Sequence, residues 1–333
     1  MKMAFVGKGG SGKTTLSALF TRYLAAERLP VLAIDADINQ HLGVALGLSE
    51  QAAAALPALG DHLEKIKEYL RGDNPRIAAA EMVKTTPPGA GSRLVGVAGP
   101  GPLHDRLAVE VDGVRLMATG AFAEEDLGVA CYHSKVGAVE LLLNHLVDGP
   151  GEYVVVDMTA GADSFASGLF TRFDRTFLVA EPTRKGVAVY HQYRAYAADY
   201  DIPISVIGNK ITGPEDVAFL RDQVGADLLV WLEQSAAVRA MEQGRPLALG
   251  DLEPANLAAL AQLRQVVDRA ERDFDRLHRQ MIEFHVRNAQ AWANDATGAD
   301  LTTQIDPHFD LRTAAAATVA AGGGGLVGSG QPG

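Results

Sequence analysis

Several things are scarce in this sequence, and each scarcity argues against a class of protein. The 333 residues include a single cysteine, so no disulfide can form within the chain and a reducing compartment is expected. Lysine and arginine number 30 against 41 acidic residues, and the net charge of −11 argues against a broad nucleic-acid-binding surface. No long uncharged apolar run indicates a membrane span, and Met1 leads directly into a strand pattern that leaves no room for a signal peptide. We therefore expect a cytoplasmic protein with no membrane anchor and no nucleic-acid partner.

What the sequence does have is a glycine-rich loop directly after its first apolar run, Met3–Val6. The nine residues Gly7–Thr15 fit the phosphate-binding pattern G-x-x-x-x-G-K-[ST], and a helical apolar pattern follows them. Glycines let successive N–H groups converge on phosphate oxygens, and the following helix adds its positive N-terminal end. Lys13 would reach the β- and γ-phosphates of a nucleotide triphosphate, and the Thr14 hydroxyl would bind Mg²⁺. The candidate nucleotide-binding residues of this loop are Gly7, Gly9, Gly10, Ser11, Gly12, Lys13, Thr14 and Thr15.

A second lysine, Lys8, follows the first glycine of the loop. With it, the run Gly-Lys-Gly-Gly-x-Gly-Lys-Thr-Thr resembles the deviant Walker A motif of the MinD/ParA, nitrogenase iron protein and ArsA-type ATPases. The resemblance implies that Lys8 reaches across a homodimer to the nucleotide of the other subunit and acts in catalysis with Lys13. The alternative for Lys8 is a solvated loop lysine.

Two aspartates stand at the end of the next predicted strand, Val31–Asp35. Catalytic groups of open α/β sheets lie at the carboxyl ends of strands, which places Asp37 to orient the attacking water and Asp35 to support the Mg²⁺ shell or the loop. In the resembled family the matching segment reads Asp-x-Asp-Pro and its second acid serves hydrolysis, whereas this chain has Ile38 at the proline position. The alternative is that both aspartates are turn acids that cap the next helix.

The clearest predicted strand is Tyr153–Asp157, and Asp157 ends it as a Walker B acid that holds Mg²⁺. The segment Asp157–Gly161 resembles the switch II of the same ATPases, in which a glycine N–H senses the γ-phosphate. Gly161 could do so here, because a backbone without a side chain approaches a phosphate closely.

Asn209 stands near the end of the predicted strand Ile204–Lys210. An asparagine there can hydrogen-bond the edge of adenine, and the resembled ATPases use an asparagine at this place. The Asn-Lys pair is also similar to that of GTPases, but Thr212 stands where those proteins have an acid, so the pattern favours ATP over GTP. The alternative is a simple turn asparagine.

The single cysteine, Cys131, is followed two residues later by His133, before a helical pattern. Two ligands are too few for a closed tetrahedral metal site, but a symmetric dimer would supply four. The segment resembles the CooC-type maturation ATPases of nickel carbon monoxide dehydrogenase, which have a Cys-x-Cys pair here and bind metal between subunits. Histidine replaces the second cysteine and is itself a good ligand for Ni²⁺ or Zn²⁺. The alternative is a buried free cysteine beside an unrelated histidine.

The alternation of strand and helix patterns predicts an α/β fold, a P-loop NTPase with a doubly wound, mostly parallel sheet and helices on both faces. We predict an ATPase domain over residues 1–275, a helical extension over 276–313 and a disordered Ala/Gly-rich tail over 314–333. Two further strands are expected at Leu94–Ala98 and Leu107–Val111. From Pro254 the apolar residues follow two seven-residue series, which predicts a long helix whose part Phe274–Phe284 either packs on the domain or contacts a partner.

Residues and resemblance together predict a dimerising Mg-ATP-dependent ATPase that is slow and stimulated by a partner. The resemblance covers roughly residues 1–265, and only the segment around Cys131 is specific to the maturation group. It implies maturation, or nickel-type metal loading, of a target metalloenzyme. Two alternatives stay open: a positioning or partitioning ATPase of the MinD/ParA type, and a regulatory dimerisation switch with negligible turnover.

Overall fold

The computed structural model describes residues 1–37, 39–121, 132–161, 165 and 168–322, with residues 132–134 described by their backbone alone. Ten strands lie in these ranges. They are β1 (Lys2–Gly7), β2 (Val31–Ala36), β3 (Val95–Gly96), β4 (Val109–Val111), β5 (Val114–Ala118), β6 (Leu146–Val147), β7 (Tyr153–Met158), β8 (Arg175–Ala180), β9 (Ile204–Ile211) and β10 (Leu228–Glu233).

Eight of the strands form one sheet in the order β10-β9-β8-β1-β7-β2-β5-β4, and β3 pairs separately with β6. Every pairing in the large sheet is parallel except that of β4 with β5. The register sets Asp157 of β7 beside Phe5 of β1 on one side and beside Asp35 of β2 on the other. The acids that end the central strands therefore meet at the edge of the sheet where the phosphate loop begins.

Helices cover both faces of this sheet. They are α1 (Lys13–Ala26), α2 (Leu42–Ala45), α3 (Glu50–Ala54), α4 (Leu63–Arg71), α5 (Pro102–Leu107), α6 (Tyr132–His145), α7 (Arg184–Tyr196), α8 (Pro214–Val224), α9 (Ala236–Glu242), α10 (Pro254–Arg269), α11 (Phe274–Asn288), α12 (Asn294–Thr297) and α13 (Leu311–Ala320). None of the helices in the described ranges is long and apolar enough to cross a membrane.

The strands of the sheet are buried on both sides, as their short unbroken apolar runs predict. In β1, Met3 and Phe5 belong to the core beneath α1 and α10, whereas Ala4 and Val6 belong to the core shared with α4, α6, α7 and α8. The two cores follow from the period of two along a strand, which sends successive side chains to opposite faces. The predicted doubly wound α/β fold is confirmed.

The prediction for residues 94–111 was wrong in part. The first expected strand is only the two residues Val95–Gly96, and the second begins at Val109 instead of Leu107. Between them lies the short helix α5, with Pro102 in its first turn. Proline suits that position, because its fixed φ is helical and its missing N–H would have no partner there. Pro102 is thus a helix start as well as a turn residue.

The long helix predicted from Pro254 is in fact two helices. It ends at Arg269, Ala270 is extended, and α11 begins after Asp273, whose carboxylate accepts a hydrogen bond from the Arg276 N–H at 2.8 Å. The apolar residues Leu277, Met281 and Phe284 are buried within this chain. Of the two alternatives for Phe274–Phe284, the burial of these side chains supports packing on the chain's own core.

The prediction that a disordered tail begins at residue 314 was wrong. Residues 311–320 form α13, whose first turn is capped by Asp310 through the N–H groups of Arg312 and Thr313. Ala314 and Ala315 are buried against the core of α11. The alanine run that reads as low complexity is a small-residue face that allows close packing. Residues 323–333 lie outside the described residues.

Candidate nucleotide-binding site

The phosphate loop joins the end of β1 to the start of α1, as predicted. Gly10 and Gly12 have φ angles of 84° and 88°, a left-handed conformation that L side chains rarely adopt. A Cβ atom on Gly12 would also lie 2.2 Å from the side-chain nitrogen of Asn209. The loop is closed by a hydrogen bond from the Ser11 N–H to the Lys8 carbonyl at 3.0 Å. These positions require glycine for reasons of backbone geometry.

A cavity of about 940 Å³ opens beside this loop at the carboxyl edge of the sheet. The predicted residues that line it are Gly7, Gly9, Gly10, Gly12, Lys13, Thr14, Thr15, Asp37 and Gly161. Ser11 and Asp157 are buried directly behind the lining. The structure thus brings together residues that lie more than 140 positions apart in the chain.

Lys13 is the centre of a buried ionic cluster. Its ammonium donates a hydrogen bond to Oδ2 of Asp37 at 2.5 Å and lies 3.7 Å from Oδ1 of Asp157. Burial alone would lower the pKa of Lys13, but the two carboxylates outweigh burial and the pKa is raised. Burial likewise opposes ionisation of Asp37, yet the contact with Lys13 lowers its pKa below the ordinary value. Both groups are therefore charged at neutral pH.

Asp157 is fully buried and holds the start of α1. Its carboxylate accepts hydrogen bonds from the hydroxyls of Thr14 at 2.6 Å and Ser17 at 3.3 Å. Burial is the main reason why the pKa of Asp157 is raised. A hydroxyl and a carboxylate are hard oxygen ligands of the kind that Mg²⁺ prefers, and Mg²⁺ is usually bound through one or two carboxylates together with phosphates and water. The Thr14–Asp157 pair fits that ion.

Asp35 performs a different task from its neighbour Asp37. Its two carboxylate oxygens accept hydrogen bonds from the backbone N–H groups of Asp37 at 3.2 Å and Leu42 at 2.8 Å. Burial and the nearby Asp157 raise the pKa of Asp35 to about 7. Of the two roles considered for Asp35, the contacts favour support of the loop that carries Asp37. Ile38 lies outside the described residues.

One polar atom of the loop has no hydrogen-bond partner among the described residues. It is the buried hydroxyl of Ser11. A buried unsatisfied hydroxyl is unfavourable, and such groups often mark a ligand position. Together with the left-handed glycines and the charged Lys13, it indicates that the loop is shaped for a polyanion that supplies the missing acceptors.

Gly161 lines the cavity and lies three residues after the end of β7. Its N–H donates a hydrogen bond to the hydroxyl of Thr159, two residues earlier in the chain, at 3.2 Å. The N–H that we predict to sense phosphate is therefore engaged locally in this structure. A phosphate would have to replace the Thr159 contact, so the sensing role stays a prediction.

Asn209 and its neighbour Lys210 brace the phosphate loop from the β9 side. The side-chain amide of Asn209 donates to the Ser11 carbonyl at 2.7 Å. The Lys210 ammonium donates to the Gly10 carbonyl and to the Glu181 carboxylate, both at 2.6 Å. Asn209 also lines a second cavity of about 250 Å³ that adjoins the first. Contact of Asn209 with adenine there stays a prediction.

The structure does not bring every predicted residue into the cavity. Lys8 is exposed, does not line the cavity and forms no ion pair with the described residues. Cys131 lies outside the described residues, and of His133 only the backbone, in α6, is described. Among the residues that the structure describes, no three His, Cys, Asp or Glu side chains group as a metal site. The proposals for Lys8, Cys131 and His133 thus rest on the sequence.

Sequence reasoning missed two acidic residues that line the cavity, Glu50 and Glu242. Glu242, at the end of α9, accepts a hydrogen bond from the Thr15 hydroxyl at 3.0 Å. The two residues are 227 positions apart, and an acid in the last turn of a surface helix carries no local signal of such a contact. Lys210 belongs to the Asn-Lys pair noted in the sequence. Its contact with the phosphate loop arises only because β9, β8 and β1 are neighbours in the sheet.

Comparison with known proteins agrees with this geometry. The family model described as "CobQ/CobB/MinD/ParA nucleotide binding domain" matches residues 2–288. The carbon monoxide dehydrogenase accessory protein CooC of Rhodospirillum rubrum is 31% identical over 258 residues, which are 77% of this chain and 91% of that protein. An uncharacterized ATP-binding protein of Methanocaldococcus jannaschii is 28% identical over 255 residues, 75% of this chain and 91% of that protein.

Among solved structures, the septum site-determining protein MinD of Pyrococcus horikoshii, complexed with Mg-ADP, superposes with a TM-score of 0.52. That match is 18% identical and covers 81% of this chain and 97% of the other, so it shows the fold alone. The family model spans most of the chain, and the matched residues include the whole phosphate loop. The protein belongs to the CobQ/CobB/MinD/ParA family of nucleotide-binding domains.

Proposed function

We propose that this protein binds Mg-ATP, hydrolyses it to ADP and phosphate as a homodimer, and uses the cycle to mature a metalloenzyme. The observation that carries the ATPase proposal is the cluster of Lys13, Asp37, Asp157 and Thr14 at the mouth of the phosphate loop. Family membership supports a nucleotide ligand, and the CooC relative supports the maturation role.

Lys13 and Asp37 have different roles at the reacting phosphate, since Lys13 binds the phosphates and Asp37 positions the water. Lys13 turns its ammonium from Asp37 toward the β- and γ-phosphates, whose charge replaces that of the carboxylate. Asp37 then lines the cavity wall without Lys13, and the N–H and side-chain amide of Asn39 still donate to its carboxylate and favour the charged form. Asp37 can accept a hydrogen bond from a water molecule in line with the γ-phosphate. The exchange of one partner for another couples binding to activation of the water.

Thr14 and Asp157 would hold Mg²⁺, while Asp35 keeps the Asp37 loop in place. Bound Mg²⁺ supplies positive charge that neutralises the phosphates as they separate. The chain's own contribution is to fix the two ligands, because Asp157 is locked by Ser17 and by its place in β7. Asn209 and Lys210 keep the loop carbonyls turned away from the phosphates.

Substitution of Lys8 tests the proposal that the protein acts as a homodimer. It is exposed at the rim of the loop, which suits a side chain that reaches a second subunit. We expect Lys8→Ala to lower ATP hydrolysis about tenfold or more and to weaken ATP-dependent dimerisation, with the Kd for ATP changed less than about threefold. Phosphate release, light scattering and nucleotide titration measure the three quantities, with exposed Lys185→Ala as the control. A monomeric wild type with full turnover contradicts the proposal.

Metal binding by the protein tests the proposed maturation role. We propose that Cys131 and His133 from two subunits hold a nickel-type ion, Ni²⁺ or Zn²⁺, for delivery to the target enzyme. Metal analysis of the purified dimer with and without ATP should show bound metal that Cys131→Ala and His133→Ala remove. Unchanged metal content and dimerisation in both variants contradict this part of the proposal. ATP-dependent retention of DNA in a gel-shift assay would favour a partitioning ATPase instead.

A further inference from the structure

A groove of about 520 Å³ lies between α4 and α5 and shares no lining residue with the nucleotide cavity. Five of its lining side chains are basic and one is acidic: His62, Lys65, Arg71, Arg93 and Arg106 against Glu68. We call this the basic groove. The whole chain has a net charge of −11, so the local excess of positive charge runs against that of the molecule. Such a concentration raises the local potential and attracts anions.

The charge of Arg71 is fixed in place. Its guanidinium donates to three backbone carbonyls, those of Ile77 at 2.6 Å, Ala78 at 3.2 Å and Gly72 at 3.3 Å. Carbonyl groups orient a guanidinium but carry no net charge, so its positive charge is not cancelled. Arg71 therefore contributes a rigid positive wall at the C-terminal end of α4.

The other long cations of the groove are also without carboxylate partners. Arg93 lies over the ring of Tyr69, with its guanidinium carbon 5.2 Å from the ring centroid, and this contact orients it. Lys65 and Arg106 are exposed. None of these three forms an ion pair with the residues described in the structure. Like charges held together in this way repel one another unless an anion lies between them.

We propose that the basic groove binds an acidic segment of a partner protein. Leu103 and Leu107 are buried in its floor, which offers apolar surface to the stems of carboxylate side chains. The nine residues of α4 span roughly 13 Å, enough for about four residues of an extended peptide. A long nucleic acid would extend beyond the groove onto a surface of net negative charge. A short acidic segment fits both the length and the charge.

The test is a binding measurement on the full chain. Fluorescein-labelled hexaglutamate is the probe, with hexaglutamine and a single-stranded hexathymidylate as comparison ligands, and anisotropy is read at low salt and near 0.3 M salt. The variant is Lys65→Glu with Arg106→Glu. Its control is Arg269→Glu with Arg279→Glu, which changes the charge by the same amount at exposed positions outside the groove. ATP hydrolysis and circular dichroism of both variants verify that they fold.

We expect hexaglutamate to bind the wild type at low salt, hexaglutamine not to bind, and hexathymidylate to bind at least about tenfold more weakly. The groove variant should lose about tenfold in affinity and the control less than about threefold, with hydrolysis unchanged in both. Equal losses in the two variants overturn the proposal, because net charge alone would then explain binding. Equal or tighter binding of hexathymidylate also overturns it. Neither result depends on whether the protein hydrolyses ATP.

Discussion

Buried charges cluster at both ends of the central strands, and the balance of charge differs between the two ends. At the carboxyl end, Lys13 is surrounded by Asp35, Asp37 and Asp157. One cation thus meets three carboxylates. Burial, and to a smaller extent the excess of negative charge, raises the pKa of Asp35 and of Asp157 above the ordinary value.

At the amino end the cations at least match the acids. Arg272 pairs with both Asp148 and Asp174, and the Met1 ammonium contacts Asp148. The Lys2 ammonium donates to two backbone carbonyls nearby. Although burial opposes ionisation of Asp148, these cations hold its pKa below the ordinary value. The acids at the amino end are thus paired with cations of the chain itself.

The difference supports our proposal that the carboxyl-end cluster is functional and the amino-end cluster structural. A buried carboxylate that lacks a cation must bind a proton or a metal ion, whereas a paired one contributes to the fold as it stands. The carboxyl-end cluster is arranged to receive a cation together with a polyanion. Variants at the carboxyl end should consequently lose activity, whereas variants at the amino end should lose stability.

The largest effect is expected for Lys13→Ala. We expect the rate of ATP hydrolysis to fall roughly a hundredfold to a thousandfold, because the charge aimed at the reacting phosphate is lost. Single-turnover phosphate release measures the change, with Lys185→Ala as an exposed control. Hydrolysis within threefold of the wild type would break the assignment of the carboxyl end as the catalytic one.

Arg272→Met should act on stability instead. Removing one partner of a buried pair leaves uncompensated charge and costs about 3 kcal/mol or more in the free energy of unfolding. Urea denaturation measures the loss, and hydrolysis per folded molecule should stay unchanged. If Arg272→Met lowers turnover while stability holds, the two ends do not differ as we describe.

His145, buried beside Lys2, supplies the pH dependence of the amino end. Burial lowers its pKa from 6.5 to about 4, so the unfolded chain binds the extra proton between those values and stability falls as the pH drops through them. The contribution lost is about 3 kcal/mol. Urea midpoints of His145→Gln and the wild type should converge at pH 4 and separate toward pH 7. Parallel curves across that range contradict the prediction.

Lys210→Ala should have the smallest effect. Loss of the contacts with Gly10 and Glu181 loosens the phosphate loop and raises the KM for ATP by about threefold to tenfold, with kcat less affected. Lys210→Arg should restore part of the loss, because the guanidinium can reach the same acceptors. A lower kcat at unchanged KM would instead assign Lys210 to the transition state.

The sequence predicts local features well because their causes are local. The phosphate loop, the apolar strands and the acids at their ends each depend on residues within a few positions of one another. The short helix α5 and the break before α11 were missed, since proline, alanine and aspartate suit several local conformations. Packing against α11 orders the alanine run of α13, and that neighbour is far away in the chain until the fold forms.

By itself the sequence determined the α/β class and the phosphate loop, and it predicted the residues that we propose for phosphate and Mg²⁺. Glycine spacing and strand-ending acids carry those properties in any arrangement of the chain. Only the tertiary structure decided that Asp35 holds a loop while Asp37 faces Lys13, that Lys210 and Glu242 reach the phosphate loop, and that α4 and α5 form a basic groove. These contacts join distant residues, and strand order and register place them within hydrogen-bonding distance.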